Sequence, residues 1–525
     1  MLIDLESTSP EPRYDSDVCI LGAGVAGLIL STRLAALGFK VALLEAGGRT
    51  LEPRSQAIYE AEMAGSAHTG ATEGRFRIFG GSSTRWGGQL LPYTDDIFGP
   101  APGIPSTPWP LGPPAIEHYY PEVLRIMGLG PRAAALPFDG RDLLVGLGHP
   151  AVDLGDSIRL RYSKWAPFSR RNLVKTLGRS CLQSPNIRVF LHANVMAVET
   201  SAGVASAVRV RNYAGREFRF TARHICVCLG TIESSRLLLA SGLSTPPAST
   251  QDQLGRYFHD HVGIRVAAVE GAAREQILKH LGPFFVQGSL HTAKLEASSA
   301  LRQSEGMPAV MAHFVIEEPE DSGVGAVRGM LRALQRGDVQ AAARNTGPMI
   351  RGLGDVARLV YASRVQGRRA LSSRARVHLH VDMEQIATPD DRIRLSDATD
   401  ALGQPRAVVH WRVGDPERSL AQRYASVVRE QLQGSGFPPL QWLPGALSGD
   451  PAALTATDTF HPMGGLRMGT DPAASVVTPE LNVHGIPNLH VASCAVFPSG
   501  GSSNPTFTLM ALTLRLADHL ATAKL

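Results

Sequence analysis

Two short stretches carry side chains that could do chemistry. In DTFHPMGGLRMG, residues 458–469, a single imidazole, His461, is followed by Pro462 and then by Gly464 and Gly465. A neutral imidazole accepts a proton near pH 7, which suits it to general-base work. Pro462 restricts the backbone at 461, and the glycines allow the segment to come close to a flat ligand. In SGGSSNPTFTLMALTLRLADHL, residues 499–520, Asn504 and Pro505 open a long apolar helix. Asparagine as cap and proline at the first helical position is the plain structural reading of that pair. A helix start is also electropositive and would stabilise negative charge beside it.

These groups need a scaffold, and the N-terminus supplies the clearest one. Residues 17–45, DVCILGAGVAGLILSTRLAALGFKVALLE, run from an apolar strand through a glycine turn and a helix to a second apolar strand ending at Glu45. Strand before, helix after and acid at the end of the second strand make this a dinucleotide-binding fingerprint. Gly22 permits the tight turn, Gly24 lets a pyrophosphate approach the helix N-terminus, and Gly27 lets helix and strand pack closely. The Glu45 carboxylate can accept from ribose hydroxyls and disfavours a 2′-phosphate. The motif alone leaves FAD and NAD open.

The loop GRFRIFGGSSTRWGGQLLPY, residues 74–93, sets two glycine pairs around Ser82, Ser83 and Trp86, a layout for close approach of a flat polar ligand. Residues 100–121 are proline-rich and read as an extended connector before a helix near 114–127. Residues 187–229 read as β-structure with a hairpin at Ala214–Gly215, followed by a helix after Gly230, and LSTPPASTQDQ reads as a boundary loop. In RVHLHVDMEQ, residues 376–385, His378, His380, Asp382 and Glu384 share one face of a strand and Leu379, Val381, Met383 and Gln385 the other. The polar face is expected to be solvated rather than a metal site. Gln385, on the apolar face, needs a hydrogen-bond partner, and a substrate hydroxyl could provide it.

Composition narrows the class. The chain has 525 residues, 44% hydrophobic and 19% charged, with a formal charge of +5. That is the balance of a globular enzyme-sized chain of two domains or one elaborated domain. No apolar run approaches the length of a spanning helix. The first fifteen residues lack the layout of a secretion signal and are expected to be a disordered leader. Five scattered cysteines argue against a disulfide framework, and Cys226 and Cys228 read as buried core residues of one strand face. The cytoplasm is the simplest compartment. Arginines crowd the helical stretch 328–376, which reads as a solvated amphipathic surface. No aromatic-basic platform for nucleic acid accompanies them.

The glycine turn, the FGGSSTRWGG loop, FHPMGG and the SSNPTFTLMALTLRLAD ending occur in this order, and together they resemble the glucose–methanol–choline (GMC) family of flavin oxidoreductases. LGRYFHDHVG, residues 254–263, and MEQIATPDDRIRLSDATDALGQP, residues 383–405, resemble its carbohydrate-oxidising branch, which includes pyranose oxidases and glucoside 3-dehydrogenases. The resemblance implies an α/β fold, with a discontinuous Rossmann-like FAD-binding domain and a sheet-based α+β substrate domain. Residues 1–254 would form the FAD-binding part, with a piece of the substrate region near 135–180. Residues 255–450 would form the substrate-binding part with a helical insertion at 325–370, and residues 451–525 would return to complete the FAD domain.

The same resemblance implies the site. His461 would take the hydroxyl proton of an alcohol, the hydroxyl of a sugar or glycoside, while hydride passes to flavin N5, and Asn504 would hydrogen-bond the same oxygen. Gly22, Gly24, Gly27 and Glu45 would hold the adenosine half of FAD. Gly80, Gly81, Ser82, Ser83 and Trp86, with Val195, Gly230, Ser493 and Pro505, would hold the rest, and Gln385 would face substrate. Pyranose oxidases bear the flavin on a histidine of an STHW run; here the run is Ser83-Thr84-Arg85-Trp86, so non-covalent FAD is expected. Oxygen, a quinone or a carrier protein could reoxidise it. His259 and His261 in FHDH read as structural. A non-sugar alcohol is the alternative substrate, and a non-redox flavoprotein the alternative class, against which the intact His461 and Asn504 speak.

Overall fold

The computed structural model describes residues 1–8, 13–102, 108–140, 143–146, 152–243, 248–364 and 367–522. Its first sheet grows from the apolar run Tyr14–Leu21, whose Val18, Cys19, Ile20 and Leu21 are fully buried. Strands buried on both faces read as continuous apolar runs, and here they pair in parallel. Tyr14–Leu21 lies between Val41–Leu44 and Glu217–Val227, and Ile486–Val491 adds itself in parallel to the far side of Glu217–Val227. The helix Val25–Ala36 follows the glycine turn and packs on the C-terminal helix Thr506–Thr522, so the two ends of the chain share one core.

Residues 1–8 are not part of a disordered leader, and residues 9–12 of that stretch lie outside the described residues. Leu2–Asp4 pairs in parallel with Ile187–Leu191, and the amino terminus donates to the Ile187 carbonyl. The proline-rich connector and the boundary loop fall partly on residues 103–107 and 244–247, outside the described residues; the helix Ala248–Gln253 occupies the second half of that loop. Cys226 and Cys228 are buried and unbridged.

A second sheet, antiparallel, is ordered Gln441–Trp442, His261–Ala268, Arg376–Glu384, Val310–Glu317, Ser289–Ala297, Ile158–Trp165 and Gln89–Leu90. One face carries Val262, Ile264, Leu295, Leu379, Val381 and Met383 into a core closed by the helix Asp415–Gly434. The opposite face is polar, but it is not the solvated surface expected from residues 376–385. His378 and Glu384 are buried and His380 and Asp382 partly so, because this face turns inward over the C-terminal segment 499–504. Gly323–Arg336 and the three short helices that follow to Arg364 pack together as an insertion. Among the described residues no helix is long and apolar enough to cross a membrane.

Candidate active site

A cavity of about 950 Å³ runs from the glycine turn at Gly22 and Gly24 to His461 and Asn504. Its first end is built by the Rossmann-like unit. Gly22 has φ +98°, and a Cβ there would lie 2.7 Å from the Cys228 carbonyl oxygen. A Cβ on Gly27 would lie 1.9 Å from the Gly22 carbonyl oxygen, so glycine is required for the helix to leave the strand at this angle. Gly24, by contrast, has open space where a Cβ would stand. No side chain caps the helix that starts there, so its first N–H groups face the cavity as an anion site. The buried Glu45 carboxylate accepts from the N–H groups of Ala23 and Gly47 at 3.0 and 2.9 Å, and each oxygen keeps a lone pair. Burial pushes this carboxyl up to about 7, against the pull of those N–H groups and of Arg77.

Of the residues expected at a cofactor, Gly22, Gly24, Glu45, Gly81, Ser82, Trp86, Val195, Gly230, Ser493 and Pro505 line the cavity. Gly27, Gly80 and Ser83 lie behind it. A Cβ on Gly80 would meet Val174 at 2.2 Å, and Ser83 Oγ donates to the Gly80 carbonyl. Gln385 does not reach the cavity either. Its Oε1 accepts from Asp260 N and Trp411 Nε1, and its Nε2 donates to the Arg412 carbonyl, so the buried amide is satisfied within the protein. A second wall was not legible in the sequence: Glu233 pairs with Arg75 and Arg236 beside the Glu45 end. Burial opposes its charge, but Arg236, Arg75 and Arg77 outweigh burial and hold it below the usual range. Arg332 and Arg336 also line the cavity, so the insertion is more than the solvated surface expected.

At the other end the chain brings two distant side chains together. Asn504 Nδ2 stands 2.9 Å from His461 Nε2, and Asn504 Oδ1 is buried with no partner among the described residues. His461 follows Phe460, a non-glycine residue at φ +63°, a strained backbone that places the ring. Gly464, φ +74°, passes so close to residue 257 that a Cβ would lie 2.0 Å from the Tyr257 carbonyl oxygen. Both oxygens of Asp260 accept from His461 N at 2.9 Å, and His68 Nε2 lies 3.2 Å from one of them. Burial works against the Asp260 charge, but His68, His461 and His261 hold its carboxyl below the usual range. His68, Asp260 and Asp458 converge within 4.8 Å, and the Asp458 oxygens accept from Thr69 N and Gly70 N. That buried knot ties segments 68–70, 260 and 458–461 together.

His261 is the residue that the sequence did not single out for the site. Its Nε2 lies 3.0 Å from the Gly500 carbonyl oxygen, and its Nδ1 lies 3.0 Å from His461 Nδ1. A carbonyl only accepts, so His261 carries its proton on Nε2 and presents Nδ1 as an acceptor. His461 must then carry its proton on Nδ1, shared with Thr459 Oγ1 at 2.9 Å. The Nε2 lone pair is left facing Asn504 and the cavity. Burial, with His261 adding to it, pulls the His461 imidazole down to about 4, so the ring is neutral at pH 7. His259 stays structural in position, its Nδ1 bonded to the Tyr257 carbonyl.

The arrangement suits an extended dinucleotide whose pyrophosphate sits at the glycine turn and whose ring reaches the His461–Asn504 end. The unpartnered Asn504 Oδ1 and the free N–H groups at the helix start are the groups such a ligand would satisfy. Residues 387–513 match the family described as GMC oxidoreductase. A 2-methyl-1,2-propanediol dehydrogenase of Mycolicibacterium austroafricanum is 24% identical, over 96% of this chain and 95% of its own. A C-glycoside 3-oxidase of Arthrobacter globiformis is 24% identical over 66% of this chain and 55% of its own. Among solved structures, a formate oxidase of Aspergillus oryzae RIB40, from work on FAD modification, shares the fold at a TM-score of 0.54 and 15% identity, covering 98% of this chain and 99% of its own.

Proposed function

We propose, from the premise that this chain is a GMC oxidoreductase and binds FAD, that it oxidises a hydroxyl of a sugar or glycoside to a carbonyl, with His461 as proton acceptor. The bound flavin supplies the hydride acceptor. His461 Nε2 receives the hydroxyl proton, because Gly500, His261 and Thr459 keep the ring's own proton on Nδ1. Asn504 Nδ2 donates to the same oxygen as negative charge grows on it. The charges of Asp260 and Asp382 act to raise the His461 pKa and so favour the imidazolium that forms.

Gly22, Gly24 and Glu45 would hold the adenosine half of the cofactor, and Gly81, Ser82, Trp86, Ser493 and Pro505 the remainder. We assign residues 1–254 and 451–525 to the cofactor-binding domain and 255–450 to the substrate roof. The FAD is non-covalent on this reading. Arg85 stacks on Phe76 and offers no attachment atom, and the cavity cysteines are held as thiols, Cys494 pushed up to about 12 by burial and Cys228 higher.

The observation that carries the proposal is the 2.9 Å approach of Asn504 to a His461 lone pair at the cavity's inner end. The Arthrobacter C-glycoside oxidase favours a glycoside, and the Mycolicibacterium diol dehydrogenase, aligned over nearly its full length, favours a small vicinal diol as the second reading. Anaerobic mixing of the FAD-loaded protein with sugars, glycosides and diols tests both. Bleaching of the flavin is expected in the wild type and slowed about 10²- to 10⁴-fold in His461→Ala. Undiminished bleaching in that variant removes the base assignment.

A further inference from the structure

The polar face of the antiparallel sheet divides into two halves. One half docks the segment that carries Asn504. Glu384 accepts from Gly500 N at 2.8 Å, Glu296 accepts from Ser502 Oγ at 2.7 Å, and Arg161 pairs with Glu296 and lies 3.2 Å from Ser503 Oγ. On the other half of the same face, no segment among the described residues is hydrogen-bonded in the way that 500–503 is.

That second half is built from Lys294, His313 and Asp382. Asp382 precedes Glu384 by two residues and is in register with Met311 and Gly263 on the flanking strands, and His313 Nε2 binds Asp382 Oδ2 at 2.7 Å. Asp382 Oδ1 has no hydrogen bond among the described residues. It faces Thr459 across Gly263, where a Cβ would stand 3.2 Å from Oδ1 and 3.0 Å from Thr459 Cγ2. Thr459 is the residue whose hydroxyl holds His461 Nδ1. Lys294 lies two residues from Glu296 on Ser289–Ala297, the strand beyond that of His313 and two strands from that of Asp382, and is only 4% exposed. Among the described residues its ammonium makes no hydrogen bond and no ion pair closer than 4 Å. Burial pulls it down to about 8. The charges of Asp382 and Lys294 both reach His461.

A buried ammonium without acceptors costs free energy, and such groups persist where a ligand completes them. The side chains offer three N–H donors at Lys294 and a free acceptor at Asp382 Oδ1, which lies behind Thr459, a residue of the cavity wall that holds His461 Nδ1. A hydroxyl group is both donor and acceptor, so a pair of this kind is complementary to hydroxyls rather than to an apolar chain. We propose that Lys294 and Asp382 form a subsite for the hydroxyl next to the one oxidised, selecting polyhydroxylated alcohols (sugars and vicinal diols) over monohydric ones. This subsite rests on the reading of His461 as the proton acceptor.

The test uses the FAD-loaded wild type, Lys294→Met and Asp382→Asn, each reduced anaerobically by a hexose, a vicinal diol and 1-butanol. The quantity read is the ratio of reduction efficiencies, hexose or diol over 1-butanol. That preference is expected to fall tenfold or more in each variant, with FAD content retained. The melting temperature of Lys294→Met is expected to rise, since a buried unpaired charge is removed, whereas a structural lysine would lower it. An unchanged preference in both variants overturns the subsite and leaves alcohol oxidation at His461 standing. So does a loss confined to sugars that carry a carboxylate. If no alcohol bleaches the wild type, the reading of His461 itself fails and takes the subsite with it.

Discussion

Replacing His261 by leucine separates a ring that positions another ring from one that merely fills space. In the wild type the Gly500 carbonyl fixes the His261 proton on Nε2, and His261 Nδ1 then fixes the His461 proton on Nδ1. Leucine removes the acceptor 3.0 Å from His461 Nδ1 but leaves Thr459 Oγ1 at 2.9 Å. Losing one of two shared acceptors for a buried N–H costs about 1–2 kcal/mol, nearer 3 when none remains. At 1.4 kcal/mol per tenfold, the population with a free Nε2 lone pair should fall about 5- to 30-fold in His261→Leu, and further when Thr459→Val is added. The measurement is the limiting rate of anaerobic flavin reduction from pH 4 to 8. His261 also contributes to the depression of His461, so the acid limb of the profile should move up from about 4 towards the ordinary histidine value. A limiting rate within twofold of wild type, with the limb unmoved, refutes the relay.

Three further outcomes follow from the geometry. Gly27→Ala should fail to fold or lose more than about 3 kcal/mol, because its methyl has no room beside the Gly22 carbonyl, whereas Gly24→Ala should keep the wild-type melting temperature and lose FAD affinity; circular dichroism and flavin titration distinguish them. Acid precipitation should leave all the FAD in the supernatant, and a yellow pellet would contradict non-covalent binding. Stability should fall in acid. His259, His291, His380 and His461 are pulled down to about 4 and His490 to about 3, below their unfolded 6.5, in each case chiefly by burial. The unfolded chain therefore takes up more protons as pH drops, so stability present above pH 6.5 is lost towards pH 4, by up to about 1.4 kcal/mol per pH unit for each ring. Thermal denaturation between pH 8 and 5 checks this, and a flat profile contradicts it.

The cofactor end was legible because glycine and an acid at fixed spacing have few other uses. Gly22, Gly24 and Glu45 line the cavity for reasons that local steric rules contain. The inner end was legible only as two separate stretches. Nothing local in FHDH distinguishes His259, bonded to its own segment, from His261, bonded to His461 two hundred residues on. The strand at 376–384 is two-faced as its alternation implies, but its polar face is covered by segment 499–504 rather than by solvent, since alternation gives a face its polarity and not its neighbour. Gln385 was recognised as a buried amide in need of partners, and the partners turned out to be Asp260, Trp411 and Arg412. The leader was misread because Leu2–Asp4 is too short to announce itself without the Ile187–Leu191 edge that receives it.

The strand Ile486–Val491 docks beside Glu217–Val227, a segment made more than 250 residues earlier. Until Ile486–Val491 leaves the ribosome, that earlier strand presents an open row of peptide groups to whatever else is in reach. Synthesis of this protein therefore passes through a long period in which its nucleotide fold is unfinished, and a chain cut short before residue 486 would be inactive and also prone to stick to its own kind.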